Sequence, residues 1–248
     1  MSVSVIPLRG MPEVVAGDDL VALIDAALTG NDVELDDADV VVVASKVVSK
    51  AEARRVTVDP APSARAEELA RACGFDARQV ELILTESRAV LRAAPGVLVV
   101  ETRHGFVCAN AGIDRSNTGP DGGALLLPLD SDASARDIQA GLLARRRRDV
   151  AVLVSDTFGR PFRHGLVNVA LGVAGMRAIR DYRGDSDPAG YTLRGTELAV
   201  ADELCSASEL VMNKLDRVPV AIVRGYVYAR DAGGVAPLLR DPARDYFR

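Results

Sequence analysis

The 248-residue sequence has no tryptophan, two histidines and only three cysteines. Cys73, Cys108 and Cys205 lie far apart among apolar residues, a spacing that argues against a disulfide framework or a zinc site, and we interpret them as buried thiols. No apolar run approaches the roughly 20 residues of a membrane helix. The first residues lack the basic start and long apolar run of a signal peptide. We therefore expect a cytoplasmic chain with no membrane partner.

The sequence also lacks a net positive charge, because 35 acidic residues outnumber 30 basic ones. This balance argues against nonspecific nucleic-acid binding. One basic run, Arg145–Arg148, follows a helical pattern. We interpret it as the solvated last turn of that helix, where cations complement the helix dipole, with phosphate binding as the alternative.

The nucleotide-binding motifs of common folds are missing as well. No Gly-Lys dipeptide of a Walker loop is present, and no strand is followed by Gly-x-Gly-x-x-Gly. A bound triphosphate would therefore need another kind of site, neither a P-loop nor a Rossmann fold.

Short apolar runs alternate with helical patterns along the chain. Strands are predicted at about 3–7, 40–43, 150–155 and 218–224, and helices at about 18–28, 63–86 (as a pair), 134–147 and 198–214. Three further strand-like runs, at 89–92, 97–101 and 105–108, are closely spaced. Such spacing favours antiparallel hairpins over the regular strand–helix alternation of a doubly wound fold.

Two acidic side chains follow apolar runs. Asp114 lies on a short turn after the run at 105–108, and Asp156 with Thr157 follows the run at 150–154. Mg²⁺ and Mn²⁺ prefer hard oxygen ligands and usually take one or two carboxylates. Together these residues predict a shared divalent-cation site, although either aspartate alone could simply cap a turn.

Basic residues follow the strand at 40–43 as Ser45, Lys46 and Lys50. A hydroxyl and two mobile charges could neutralise phosphates without a glycine-rich loop. A solvated lysine-rich turn is an equally good interpretation. The segment Gly159–Gly165, with two arginines and a histidine, resembles an anion-binding loop.

Five short motifs occur together in a fixed order. They are Gly10-Met11-Pro12-Glu13 with Gly17-Asp18-Asp19-Leu20, Ser45-Lys46-Val47-Val48-Ser49-Lys50, His104–Asp114, Ser155–Arg160 and Ala201-Asp202-Glu203-Leu204. This arrangement resembles the coenzyme F420:L-glutamate ligase family over nearly the whole chain. The resemblance implies an α+β fold of mixed sheets and packed helices. Residues 1–248 would form a single ligase domain, with two intertwined subdomains whose boundary is not fixed, and would assemble as a homodimer.

The resemblance also implies an activity and a site. The enzyme would use GTP and Mg²⁺ or Mn²⁺, with K⁺ as a further candidate ion, to join L-glutamate to the deazaflavin precursor of coenzyme F420 by an amide bond, then by γ-linkages. We hypothesise an acyl phosphate intermediate. By resemblance, the nucleotide contacts are Met11, Pro12, Glu13, Val14, Ser45, Lys46, Lys50 and Asn117. The metal ligands are Asp114, Asp156 and Thr157, and no catalytic side chain or general base is assigned.

One departure and two alternatives accompany this interpretation. Lys214 stands where archaeal members tend to have a glutamine, and a protonated lysine cannot ligate a cation. A metal-dependent phosphohydrolase would use similar residues. The chain could also be a nucleotide-binding half that depends on a fused or separate flavin-binding reductase-like domain.

Overall fold

We describe the fold from a computed structural model. The structure describes residues 2–56, 60–115 and 123–246. The strands are β1 Ser4–Leu8, β2 Val40–Ala44, β3 Arg55–Val56, β4 Ser87–Ala94, β5 Val97–Thr102, β6 Val107–Ala109, β7 Ala124–Leu125, β8 Ala151–Arg160, β9 Arg163–Ala174, β10 Arg180–Asp181, β11 Glu197–Leu198 and β12 Val220–Arg224. The helices are α1 Leu20–Gly30, α2 Ser45–Ala51, α3 Ala64–Cys73, α4 Ala77–Thr85, α5 Ser131–Arg146 and α6 Val200–Met212, with short 3-10 turns at Asn110–Gly112, Ala236–Leu238 and Pro242–Arg244.

The main sheet has five strands in the order β1-β12-β2-β8-β9. Only β2 and β8 run parallel to each other, and the other neighbours are antiparallel. The apolar runs of β2 and β8 are buried because helices cover both faces of the sheet. Helices α1 and α5 pack on one face, against Val41 and Val152, while α6 packs on the other, against Val42 and Leu153.

A second sheet, β4-β5-β6, is antiparallel and packs with α3 and α4 around a separate hydrophobic cluster. The closely spaced runs are thus confirmed as hairpins, and the mixed sheets with packed helices confirm the α+β class. The division into two intertwined subdomains stays a prediction.

Local sequence signals explain where the helices begin. The Asp19 carboxylate accepts a hydrogen bond from the backbone N–H of Ala22, at 3.0 Å, and caps α1. Asp130 caps α5 in the same way, so this helix begins three residues before its predicted start at 134.

Among the described residues, no helix is both long and apolar enough to cross a membrane. All three cysteines are free and buried, as predicted.

Two local predictions are wrong. Gly159–Gly165 is not a loop but the end of a β-hairpin, because β8 continues to Arg160 and the unpredicted strand β9 begins at Arg163. Residues 45–51 form helix α2 rather than a solvated turn.

The basic run Arg145–Arg148 is confirmed as the end of a helix, since α5 ends at Arg146 and three of the four arginines are exposed. Arg146 is mostly buried and donates to the carboxylate and backbone carbonyl of Asp25, which joins α5 to α1. Arg146, the least exposed of the four, therefore has a neighbouring helix as its partner.

Candidate functional site

Most of the predicted site residues surround one cavity of about 910 Å³. Its lining includes Met11, Pro12, Glu13, Val14, Ser45, Lys46, Lys50, Asp156 and Thr157. Asp114 is brought to the same place by its ion pair with Lys46. Asn117 lies outside the described residues.

The parallel pairing of β2 with β8 brings distant parts of the chain together. Ala44 is in register with Ser155, so Ser45 at the start of α2 lies beside Asp156. Ligands of open sheets commonly bind outside the carboxyl ends of parallel strands. Asp156 itself is inside β8 rather than at its end, because the strand continues into the hairpin with β9.

Asp156 is a carboxylate with incomplete charge compensation. Burial raises its pKa from 3.8 to about 6, although the Thr157 backbone N–H, the Lys46 charge, the Ser45 hydroxyl and the Lys214 charge all act in the opposite direction. The buried thiol of Cys108, on β6, has its pKa raised to about 12 by burial and, secondarily, by the negative charge of Asp156. The ionised form of Asp156 would therefore be stabilised by a further positive charge.

Asp114 follows an unusual stretch of backbone. Asn110 and Ala111 both have positive φ angles, 54° and 55°, which are uncommon for residues with a Cβ atom. The Asp114 backbone then pairs with Leu125 through hydrogen bonds of 3.0 and 2.8 Å. This pairing holds the Asp114 carboxylate against Lys46, where both side chains are about one-quarter exposed.

A second ion pair joins two walls of the cavity. The Lys50 ammonium donates to the carboxylate of Glu13, which is itself largely exposed. The Gly10–Val14 segment is thereby connected to α2. Two of the predicted nucleotide contacts thus touch each other directly.

The donor set fits Mg²⁺ or Mn²⁺ in its chemistry, since the carboxylates and hydroxyl at the site are hard oxygen ligands. The raised pKa of Asp156 shows that its negative charge is only partly compensated by the chain, and Asp156 faces the cavity. In the described part of the chain, no three histidine, cysteine, aspartate or glutamate side chains are grouped as a metal site. A cation here would need Thr157, water or substrate oxygens beside the two aspartates, and this ligand set stays a prediction.

Comparison with known proteins identifies the family. The sequence model of F420-0:Gamma-glutamyl ligase matches residues 10–225. The chain belongs to this family. It is 48% identical over 252 residues to the coenzyme F420:L-glutamate ligase of Methanothermobacter thermautotrophicus, and the alignment covers 100% of both chains. The proteins of the same name from Methanopyrus kandleri and Methanocaldococcus jannaschii are 42% and 38% identical, with 94% and 86% of this chain and 92% and 86% of theirs covered.

This F420-0:Gamma-glutamyl ligase family member has further cavity residues that our sequence reasoning missed. Asn168, on β9, and Glu209, on α6, both line the cavity. The missed signal was Leu166–Val173, an apolar, β-branched run interrupted by one asparagine, which is typical of a strand with a functional or structural polar residue. Glu209 offered no comparable signal, because a carboxylate in an amphipathic helix is ordinarily solvated.

The residue that departs from the archaeal pattern, Lys214, also lines the cavity. It lies just after the end of α6, and its positive charge acts to lower the pKa of Asp156. The structure thus places the Lys214 ammonium group at the cavity. A protonated lysine cannot ligate a cation, but it can contact an anion.

Proposed function

We propose that this protein is a GTP- and divalent-metal-dependent ligase that joins L-glutamate to the deazaflavin precursor of coenzyme F420. The names of its relatives support the acceptor and the amino acid. The observation that carries the proposal is the arrangement around Asp156. A half-buried, incompletely compensated carboxylate and three lysines, Lys46, Lys50 and Lys214, share one cavity.

The walls of this cavity suit a nucleoside triphosphate without a glycine-rich loop. Met11–Val14 supplies one wall, of mixed polarity, and α2 supplies the two lysines on the other. Lysine ammonium groups bind phosphate as mobile point charges. Lys50 is held by Glu13 and Lys46 by Asp114, so both charges are positioned by carboxylates before a ligand arrives.

The proposed reaction has two steps. A carboxylate oxygen of the deazaflavin precursor attacks the γ-phosphorus of GTP, the bond from that phosphorus to the bridging oxygen breaks, and GDP leaves with the electron pair. The glutamate amine then attacks the acyl carbon, phosphate leaves, and the amine loses a proton as the amide forms. Positioning and electrostatics would supply most of the acceleration, which is why no nucleophilic side chain is needed.

Residues of the chain have distinct roles in this scheme. Asp114, Asp156 and Thr157 would hold Mg²⁺ or Mn²⁺, which when bound neutralises phosphate charge and aligns the reacting oxygens. Lys46 and Lys50 would offset the charge that builds on the transferred phosphoryl group. Lys214 would contact a phosphate or carboxylate at the end of α6.

The test is phosphate release from GTP with Mn²⁺, measured with and without L-glutamate and the deazaflavin precursor, followed by mass spectrometry of the deazaflavin product. The proposal expects release that requires all components and a product heavier by whole glutamate units. Release without glutamate would instead indicate a phosphohydrolase. GTP binding without any release would indicate a nucleotide-binding half that needs a partner domain.

The metal assignment has its own variant, Asp114→Asn. We expect turnover to fall by more than the roughly 10- to 100-fold that is typical of losing an outer-shell partner of a metal. Asp231→Asn is the matched control, because Asp231 is a surface carboxylate paired with Arg177. Full metal-dependent turnover of Asp114→Asn would remove Asp114 from the ligand set.

A further inference from the structure

A chain of three hydrogen-bonded polar side chains lies along the wall of the cavity. The Thr157 hydroxyl donates to Oδ1 of Asn168, at 2.8 Å, and Nδ2 of Asn168 donates to Oε2 of Glu209, at 2.9 Å. All three residues line the cavity. Asn168 is only 4% exposed, so its amide has few alternatives to these two partners.

The fold fixes this chain of hydrogen bonds from two sides. Thr157 and Asn168 are opposite each other in the β8–β9 hairpin, just beyond a register shift that begins after Val154. Such an irregularity locally twists a strand and re-aims its side chains. On the other side, the Ser206 hydroxyl of α6 donates to the backbone carbonyl of Asn168, at 2.7 Å, which joins the helix to the strand beside Glu209.

The direction of these hydrogen bonds follows from the chemistry of the last member. An ionised carboxylate only accepts hydrogen bonds, so Glu209 requires the NH₂ group of Asn168 to face it. The amide oxygen of Asn168 must then face Thr157. Because that oxygen is an acceptor, the single hydroxyl proton of Thr157 points towards Asn168, and the oxygen lone pairs of Thr157 are directed away from it.

We propose that Asn168 and Glu209 are positioning residues that orient the Thr157 hydroxyl as a cation ligand. A hydroxyl that ligates a cation offers a lone pair and keeps its proton, which needs an acceptor elsewhere. Asn168 provides that acceptor, and Glu209 keeps the amide from turning over. The inference rests on the proposed function, since it assumes that Thr157 contacts the metal.

The decisive single variant is Glu209→Gln. A glutamine can donate to Oδ1 of Asn168, which lets the amide reverse and present its NH₂ group to Thr157. The hydroxyl would then accept that bond and point its proton into the cavity. We expect the dissociation constant for Mn²⁺ to rise about tenfold or more, as is typical when an outer-shell partner is lost.

A double variant separates hydrogen-bond direction from charge. Asn168→Asp combined with Glu209→Gln exchanges the amide and the carboxylate, so the net charge equals that of the native chain. The carboxylate introduced on β9 would accept from both Thr157 and the new glutamine, which restores the original direction at Thr157. We expect the double variant to recover most of the Mn²⁺ affinity that Glu209→Gln loses.

Mn²⁺ binding is measured by electron paramagnetic resonance, with the metal alone and with GTP, and circular dichroism checks each variant for native folding. Glu203→Gln is the control, because it makes the same charge change at an exposed position of α6. Unchanged affinity in Glu209→Gln, or no recovery in the double variant, would overturn the orienting role while leaving the ligase intact. If the native protein binds Mn²⁺ neither alone nor with GTP, both this inference and the metal-dependent mechanism are overturned.

Discussion

Two aspartates on neighbouring segments of the main sheet, Asp39 and Asp156, have opposite surroundings. Asp39 immediately precedes β2 and is 1% exposed. Asp156, on the neighbouring strand β8, faces the cavity. Burial is unfavourable for both charges, and the chain compensates the two to very different extents.

Asp39 is fully paired within the chain. Arg224, on β12, donates to both of its oxygens, at 2.9 and 2.6 Å, and the backbone N–H of Asp36 adds a third hydrogen bond at 2.8 Å. This bidentate contact raises the pKa of the Arg224 guanidinium, with Asp39 as the largest cause. Such geometry is the strong form of an ion pair.

Asp156 has partners too, but burial still dominates and its pKa is raised to about 6. The contrast separates a carboxylate neutralised by its own protein from one whose negative charge is only partly compensated. The second kind is the candidate for binding a cation.

Removing the partner of Asp39 should affect stability most. Arg224→Ala leaves a buried carboxylate unpaired, and we expect a loss of about 3 kcal/mol in the free energy of unfolding, at the lower end of the range for broken buried pairs because Arg224 is partly exposed. Urea denaturation measures it. Arg177→Ala, which breaks the exposed pair with Asp231, should change stability by less than about 1 kcal/mol. Equal effects of the two variants would contradict the assignment of Asp39 as a structural charge.

Adding metal should stabilise the protein through Asp156. At a Mn²⁺ concentration about 100 times the dissociation constant, one-site linkage gives about 2.7 kcal/mol of added stability. Thermal unfolding with and without Mn²⁺ measures this shift. In Asp156→Asn the shift should disappear, whereas Asp231→Asn should retain it. A full shift in Asp156→Asn would show that the cation binds elsewhere.

The smallest expected effect is a pH dependence in metal-free buffer. The pKa of Asp156 is raised from 3.8 to about 6 in the folded state, so its favourable contribution is complete below pH 4 and is lost as the pH rises through 6. Asp156→Asn should therefore gain about 1 to 2 kcal/mol relative to the native protein over that interval, after allowance for partial exposure. Denaturation series at pH 4, 5, 6 and 7 with a chelator measure it. A constant difference between the two proteins would mean that Asp156 is not perturbed.

Much of the fold was predictable because local signals were strong. The apolar run at 40–43, the capping residue Asp19 and the hairpin spacing between 87 and 109 each have one dominant structural interpretation. The grouping of Asp114 and Asp156 at one cavity was predictable because both follow apolar runs in the sequence. The place of Asp156 inside β8 was not, because the strand continues beyond its apolar run.

The rest depends on contacts between distant residues. Strand β9 lies beyond a tight turn at Pro161 and Phe162, and its pattern was obscured by the basic residues of the hairpin end. Glu209 becomes part of the cavity only because α6 packs against β9. Arg146 is mostly buried only because α5 lies beside α1. Contacts between such distant elements cannot be predicted from the spacing of residues along the chain.

The parallel pairing of β2 with β8 has a kinetic consequence. Its partners, such as Ala44 and Ser155, are far apart in the chain, and closing so long a loop is entropically slow compared with forming the local hairpins β4–β6. The cavity walls contributed by these two strands come together only when that closure is complete. During refolding, the ability to bind a nucleotide at this cavity would therefore appear last. The helical signal in circular dichroism would develop before it.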